Sequence, residues 1–282
     1  MTSAPGSSAN FCYRHPDRQS YILCQRCGRT ICPQCQTQAA VGVHCPECVR
    51  EARASAPRVR RANPFARFAG SDAPRVTWAI MALCVIIYVL QILPGSVVTQ
   101  LLLYYPPITT SQPWRMITSL FVHSPGSLLH IGLNMLSLFL FGPLLERLVG
   151  HWRFLVLYLV SGFGGSVAVL LIAPGTPVLG ASGAIFGLLG AFFIIQRNFG
   201  GNTTQLLVVI GINLVVGFLP GTNIAWQAHV GGLIAGAAVA LVYLRTRRRD
   251  QRTQQIVFVG LVVAVLVALT AVGVVLLAVS RA

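Results

Sequence analysis

Long apolar stretches alternate with short polar connections over most of this chain. A helix that crosses a bilayer needs roughly 20 apolar residues, within a range of about 17 to 25. The fourth and fifth runs are shorter than that, but flanking polar residues can extend a short membrane helix. The pattern therefore predicts seven spanning helices, in the apolar runs 76–93, 128–145, 154–173, 180–195, 206–219, 224–244 and 256–279.

Composition strengthens the prediction of a membrane protein. Hydrophobic residues make up 55% of the chain and charged residues only 10%, whereas about a quarter of the residues in a soluble domain are charged. The net charge of +15 comes from arginine, since the sequence contains no lysine. Because the arginines cluster at the ends of apolar runs, we interpret them as a topology signal and not as a nucleic-acid site.

The arginines also predict an orientation. Eleven precede the first run and eight more fall in segments that would share its side, which leaves only Arg115 and Arg281 on the other side. We therefore expect a multi-pass protein of the cell membrane with its N-terminus in the cytoplasm and its C-terminus outside. The first fifty residues lack the apolar core of a cleavable signal peptide, so we expect no export of this segment.

Four polar side chains fall at one depth in this arrangement. His130 and Asn134 lie near the outer end of the second run, Ser182 near that of the fourth and His229 near that of the sixth. At about 1.5 Å per residue, all four lie within roughly 10 Å of the outer interface. A histidine inside a membrane is costly and by default indicates function. The sequence predicts that these groups form one polar layer.

Glycines predict how that layer is assembled. Gly183 and Gly187 form a GxxxG pattern just after Ser182, and Gly232 and Gly236 form another just after His229. Small residues let two helix backbones approach closely. Packing of these two faces would bring the serine and the histidine within hydrogen-bond reach.

A serine held against a histidine is an activated nucleophile that can attack a peptide carbonyl. None of the apolar runs contains a carboxylate to orient His229, so the sequence predicts a dyad and no catalytic cofactor. Asn134, His130 and the backbone N–H of Ser182 are candidate donors to the oxyanion. Hydrolysis needs water, which explains why the site should lie near the outer surface.

Before the first run the chain divides into three segments. Residues 1–11 are expected to be disordered, and residues 12–48 carry seven of the eight cysteines. Residues 49–75 are rich in Arg, Ala and Pro without hydrophobic periodicity, which predicts a flexible basic linker. Beyond the core at 76–244, residues 245–255 form a basic cytoplasmic loop before the last run, 256–279.

The cysteine-rich segment has the knuckle spacing of zinc sites. Its eight ligands would suffice for two structural Zn²⁺ ions, with His44 as a spare that could replace Cys45. We disfavour disulfides because this segment should face a reducing cytoplasm. Spacing alone leaves the pairing of the ligands open, and no partner of the segment is predicted. The candidate ligands are Cys12, His15, Cys24, Cys27, Cys32, Cys35, Cys45 and Cys48.

Three motifs together resemble the rhomboid family of intramembrane serine proteases. They are "HIGLN" at 130–134, "GASG" at 180–183 and "AHVGG" at 228–232. In addition, "PWRMITSLFVH" at 113–123 looks like part of the family's long first loop, and "GHWRFLVLYLVSGFGGS" at 150–166 is similar to its third helix. The resemblance covers residues 76–244. It implies an all-α polytopic bundle, with a six-helix core and one additional C-terminal helix.

The resemblance also implies roles for individual residues. Ser182 matches the nucleophile, His229 the general base, and His130 and Asn134 the oxyanion stabilisers. Gly180 matches the first glycine of the serine motif, and Phe186 an aromatic residue that stacks on the catalytic imidazole. Residues 220–227 would correspond to a cap over the site, and residues 94–127 would dip into the membrane interface. His123 is left without a clear role, since the loop between His123 and His130 is longer than in the family.

By the same resemblance, the substrates are transmembrane segments of other membrane proteins, cut near the outer face of the lipid bilayer. The head is similar to small B-box-like zinc fingers, which implies that its ligand pairs alternate. One metal would then take Cys12, His15, Cys32 and Cys35, and the other Cys24, Cys27, Cys45 and Cys48.

Two other functions stay open at this point. A catalytically silent rhomboid-like protein would bind transmembrane segments without cutting them, although the intact serine and histidine argue against it. A transporter could use His130 and His229 as a proton path. Against the transporter, the apolar runs contain no acidic residue and show no inverted repeat.

Overall fold

The computed structural model describes residues 10–39, 41–55, 73–217 and 224–281. The chain forms two compact units, Met1–Asn63 and Pro64–Ala282. The division falls inside the predicted linker, of which residues 56–72 lie outside the described residues. Most of the predicted disordered N-terminus, residues 1–9, lies outside them as well. Linker flexibility and N-terminal disorder therefore stay predictions.

The first unit, called the head below, is built from two small hairpins and a helix. Strands β1 (Phe11–Cys12) and β2 (His15–Gln19) pair antiparallel, as do β3 (Thr37–Gln38) and β4 (Val43–His44). Helix α1 (Pro46–Ser55) follows, so the first residues of the predicted linker are helical. Apart from Ile31, the buried apolar core of the head consists of cysteines. A core this small rarely holds a fold without a disulfide or a metal.

The second unit, called the membrane unit below, is all-helical. Each of the seven predicted runs corresponds to one long helix within the described ranges. These are α2 (Arg75–Gln91), α5 (Leu128–Val149), α6 (His151–Ile172), α7 (Ser182–Asn198), α8 (Thr204–Gly217), α9 (Trp226–Arg245) and α10 (Arg252–Val279). Between α2 and α5 the chain forms the short helices α3 (Val98–Leu102) and α4 (Arg115–Thr118), with 3₁₀ turns at Pro106–Ile108 and Ser119–Phe121.

Among the described helices, four are long and apolar enough to cross a membrane, namely α5, α6, α9 and α10. Helices α2 and α8 are apolar but shorter, and α7 has 17 residues. Many large apolar side chains are exposed on these helices, as expected where lipid is the solvent. The predicted all-α membrane fold is confirmed, whereas the count of seven spans and the orientation stay predictions.

Helices α7 and α9 pack with their backbones in direct contact. A Cβ atom on Gly232 would lie 1.9 Å from the carbonyl oxygen of Gly183, and one on Gly236 would lie 2.1 Å from that of Gly187. No side chain fits in this space, so glycine is required at both positions of α9. The two GxxxG patterns therefore form one interface.

Helix α2 is capped by a residue from a distant part of the chain. The carboxylate of Glu146, near the end of α5, accepts hydrogen bonds from the backbone N–H groups of Val76 (2.9 Å) and Thr77 (2.7 Å) and from the Thr77 hydroxyl (2.6 Å). His151 also contacts this carboxylate. The bonds satisfy N–H groups that have no partner inside a helix. Glu146 directly follows the second predicted run, and it is a buried residue of α5.

The last helix is joined to the rest of the membrane unit at its N-terminal end. Gln255 of α10 accepts a hydrogen bond from Arg153 of α6 (2.7 Å) and donates to the carbonyl of Thr246 (3.1 Å). Further along, a Cβ on Gly273 would lie 2.7 Å from the side chain of Leu170. Polar contacts at one end and close packing at the other therefore attach α10 to α6.

Candidate active site and metal centres

The α7–α9 interface brings Ser182 and His229 together. Ser182 is the first residue of α7, and His229 lies in the first turn of α9. The Nε2 atom of His229 lies 2.9 Å from the Oγ atom of Ser182. The glycines that follow both residues allow the two backbones to touch. The side chains of Ser182 and His229 are therefore close enough to form a hydrogen bond.

The imidazole of His229 is held from one side by an aromatic ring. The ring of Phe186, one turn after Ser182 on α7, stacks on it with centroids 4.1 Å apart and an angle of 11° between the planes. The Nδ1 atom of His229 is buried and has no hydrogen-bond partner among the described residues. Within that part of the chain, the arrangement is a pair and not a triad.

Gly180 leaves an open space beside the serine. Its φ is +122°, a backbone conformation that side chains rarely adopt. A Cβ atom here would lie 2.9 Å from Nε2 of His130 and 3.8 Å from Oγ of Ser182. Glycine at this position therefore keeps the space between the His130 ring and Ser182 Oγ free of a side chain.

His130 presents a defined ring nitrogen to this space. Its Nδ1 atom accepts a hydrogen bond of 3.3 Å from the backbone N–H of Ser124. In a neutral imidazole one nitrogen accepts and the other carries the proton. Since Nδ1 is the acceptor, Nε2 carries the proton and is a donor on the side of Gly180.

Asn134 lies one turn further along α5. Its Nδ2 atom donates to the carbonyl of His130 at 2.8 Å, and its Oδ1 atom is buried without a partner among the described residues. A carboxamide has two N–H hydrogens, so one remains for another acceptor. Unlike His130, however, Asn134 does not line the cavity at Ser182.

A cavity of about 640 Å³ opens in front of the serine. His130, Ser182 and His229 line it, together with apolar and very small residues such as Gly162, Gly165 and Ala228. Of the predicted cap at 220–227, residues 220–223 lie outside the described residues, while Ile224 and Ala225 contribute to the wall.

Residues 94–127 contribute to the site in a way that the sequence motifs do not predict. The backbone N–H of Gly180 donates to the carbonyl of Ser119 at 2.9 Å, and Tyr104 and Val178 exchange two backbone hydrogen bonds. These contacts hold the turn before Ser182 from outside. No local pattern signals them, because the partners lie some sixty residues or more apart in sequence.

Comparison with known proteins identifies the family. Residues 110–246 match the family model of the Rhomboid domain. A protein of Bacillus subtilis (strain 168) named "Putative rhomboid protease YdcA" is 33% identical over 147 residues, which cover 50% of this chain and 73% of that protein. The chain belongs to the rhomboid family. The resemblance seen in the sequence motifs is thereby confirmed.

Other relatives of this rhomboid are longer proteins. Rhomboid protease GluP of the same bacterium is 36% identical over 184 residues, 60% of this chain and 35% of GluP. RHOMBOID-like protein 6, mitochondrial, of Arabidopsis thaliana is 34% identical over 141 residues, 48% of this chain and 45% of that protein. The chain thus spans less than half of the length of these two relatives.

In the head of the rhomboid, the eight predicted metal ligands form two groups. Within each group, the ligand atoms all lie within 4.8 Å of one another, and the pairs alternate along the chain as the resemblance to B-box-like fingers implies. His44 belongs to neither group. The groups are Cys12, His15, Cys32 and Cys35, and Cys24, Cys27, Cys45 and Cys48.

The donor atoms fit a tetrahedral zinc ion. In the first group, the Nδ1 atom of His15 lies 3.4 Å from the sulfurs of Cys32 and Cys35 and 3.7 Å from that of Cys12. Bond lengths of about 2.0–2.3 Å in a tetrahedral site place ligand atoms roughly 3.5–3.8 Å apart. The seven cysteines of the head are free, which agrees with metal ligands and not with disulfides.

The second group is less shielded from solvent. Cys27 is exposed, while the other three cysteines of this group are buried. Arg29 donates a hydrogen bond of 3.3 Å to the sulfur of Cys27, and this bond is the largest cause that lowers the pKa of the thiol. The guanidinium therefore favours the thiolate, which is the form that binds a metal.

Proposed function

We propose that this rhomboid is an intramembrane serine endopeptidase that cleaves transmembrane segments of membrane proteins. The observation that carries the proposal is the 2.9 Å distance between Ser182 Oγ and His229 Nε2 inside a membrane unit. A serine of ordinary pKa is a weak nucleophile, and an adjacent imidazole activates it by taking its proton. A silent relative would have no need to hold these two atoms together.

In the proposed reaction, the Ser182 hydroxyl donates its proton to His229 as Oγ attacks the scissile carbonyl. His229 then gives that proton to the leaving amine, and a water molecule repeats the sequence on the acyl-enzyme. Stacking on Phe186 keeps the imidazole in register with the serine throughout. No further group of the chain is required to move a proton.

The oxyanion is the former carbonyl oxygen of the substrate, on the carbon that becomes bonded to Ser182 Oγ, and it would lie near Gly180 and His130. His130 Nε2–H is the donor whose direction is best supported, because Ser124 occupies Nδ1. The backbone N–H of Ser182 at the start of α7 is the second donor, whereas Asn134, which does not line the cavity, would have to turn toward it to donate its second N–H. Removal of one such donor from a serine protease costs about 10²–10³ in kcat.

The head is proposed to bind two structural Zn²⁺ ions and to take no part in catalysis. The donor sets and their spacing support this assignment. We further propose that the N-terminus is cytoplasmic and that the cut lies near the outer face. The arginine distribution supports the orientation.

The experiment that tests the activity uses purified full-length protein in liposomes with a single-span model substrate. Wild type should release a fragment that mass spectrometry assigns to a cut within or next to the transmembrane segment. Ser182→Ala should release none, whereas Ser280→Ala, a change of the same type at an exposed serine of the C-terminal end, should match wild type. Equal cleavage by Ser182→Ala and wild type would refute the proposal, and so would absence of cleavage and of serine labelling in wild type.

A further inference from the structure

Two side chains of α2 bind the loop that contacts His130, the candidate oxyanion donor. Gln91, the last residue of α2, is buried, and its carboxamide forms hydrogen bonds with α3 and with the loop that precedes α5. Its Oε1 atom accepts from the backbone N–H of His123 (3.0 Å), while Nε2 donates to the carbonyl of His123 (2.7 Å) and to Oγ1 of Thr99 (2.8 Å). The backbone of His123 is thus held on both of its polar groups.

A second residue of α2 holds the same loop two positions further on. Tyr88, one turn before Gln91, is buried and donates its hydroxyl to the carbonyl of Pro125 at 3.2 Å. The two side chains therefore bind the residues on either side of Ser124. The backbone N–H of Ser124 is the group that donates to Nδ1 of His130.

His123 adds a packing contact to the same arrangement. Its side chain is fully buried, and neither ring nitrogen has a hydrogen-bond partner among the described residues. The ring lies 5.4 Å from that of His130, measured between centroids, at an angle of 60°. The residue whose backbone Gln91 binds is therefore also the residue that packs against the donor ring.

We infer that Gln91 and Tyr88 are positioning residues that set the tautomer and direction of His130 through the amide of Ser124. When that amide donates to Nδ1, the imidazole proton stays on Nε2, where it can donate to the oxyanion. When the amide moves away, the proton can occupy either nitrogen and the ring can turn. The inference rests on the proposed protease activity and assigns to α2 a part in transition-state stabilisation.

The test compares steady-state kinetics of full-length variants in liposomes. Gln91→Met keeps the length of the side chain and removes its hydrogen bonds, and it should lower kcat roughly ten- to a hundredfold with little change in KM, which is less than the loss of a whole oxyanion donor. Gln100→Met makes the same change at an exposed position and should match wild type. Tyr88→Phe removes one hydroxyl and should lower kcat by a smaller factor.

A double-mutant cycle with His130→Ala separates positioning from general support of the fold. If Gln91 acts through His130, then Gln91→Met should cause no further loss of kcat when His130 is already absent. A folded Gln91→Met with wild-type kcat, or the same fold-loss in both backgrounds, would overturn the inference. Should Gln91→Met not fold, the same cycle with Tyr88→Phe decides, and additive losses there would overturn it. Failure of the activity proposal itself is recognised separately, as wild type that behaves like Ser182→Ala.

Discussion

In the head, the candidate metal ligands make up most of the buried core. In the membrane unit, by comparison, the packing of the helices does not depend on the candidate catalytic side chains. Cys12, Cys32 and Cys45 have almost no exposed surface. Apart from cysteines, the apolar core around them contains Ile31, with the partly buried Tyr13 and Val43 packed against it. Ser182 and His229, by contrast, are placed by glycine contacts between α7 and α9. Removal of the metal should therefore unfold the head. Substitution of Ser182 or His229 should abolish the activity of the membrane unit without unfolding it.

The largest effect is expected from metal removal. A strong chelator, or Cys35→Ser, should abolish amide-exchange protection over residues 10–55, since a structural zinc ion contributes about 10–16 kcal/mol of binding free energy that also stabilises the fold. Protection in α6, α7 and α9 should not change. His44→Ala is the control, because His44 lies beside the ligands but in neither group. Retained protection of the head without metal would show that the fold of the head does not depend on metal.

Next in size is the insertion of one methyl group into the helix interface. Gly232→Ala would place Cβ 1.9 Å from the carbonyl oxygen of Gly183. The helices must separate, which should cost about 3 kcal/mol or more, and cleavage should fall below detection because Ser182 and His229 move apart. Gly211→Ala adds the same methyl group to α8, where nothing lies within 4 Å, and should be neutral. A thermal unfolding series checks both, and equal melting temperatures would contradict the packing account.

The buried carboxylate of Glu146 should matter for stability more than for catalysis. Glu146→Leu would leave two backbone N–H groups and the Thr77 hydroxyl without their acceptor, at a cost of about 2–4 kcal/mol. Near a cost of 3 kcal/mol, the melting temperature of a domain of this size should fall by roughly 6–12 °C. Asp250→Asn, at an exposed ion pair with Arg248, should lower the melting temperature by less than about 4 °C. Similar shifts in both variants would show that the cap contributes nothing.

The smallest effect is expected at Phe186. Phe186→Leu removes the stacking ring from His229 and should lower kcat about 2- to 12-fold, since an aromatic pair is worth about 0.5–1.5 kcal/mol. Phe186→Tyr keeps the ring and should retain most of the activity. Single-turnover cleavage rates distinguish the two variants. A leucine variant as fast as wild type would mean that the stack does not orient the imidazole.

Features that depend on neighbouring residues in the sequence are predicted, whereas contacts between residues far apart in the sequence are not. Apolar runs predict every long helix of the membrane unit, because lipid exposure requires continuous hydrophobicity. The polar groups His130, Ser182 and His229 stand out within those runs, so the candidate site is predicted as well. In contrast, the contacts of Glu146 with Thr77, of Ser119 with Gly180 and of Gln91 with His123 join distant segments and leave no periodic pattern. The sequence indicates Gln91 only as a polar residue within the first apolar run.

Covalent labelling shows whether Ser182 is a nucleophile that His229 activates. Full-length protein in liposomes is treated with a fluorophosphonate, and peptide mass spectrometry locates the adduct. We expect a single adduct on Ser182 in wild type, labelling at least a hundredfold slower in His229→Ala because the base is missing, and unchanged labelling in His44→Ala. An adduct on another serine, or equal rates in wild type and His229→Ala, would contradict this expectation.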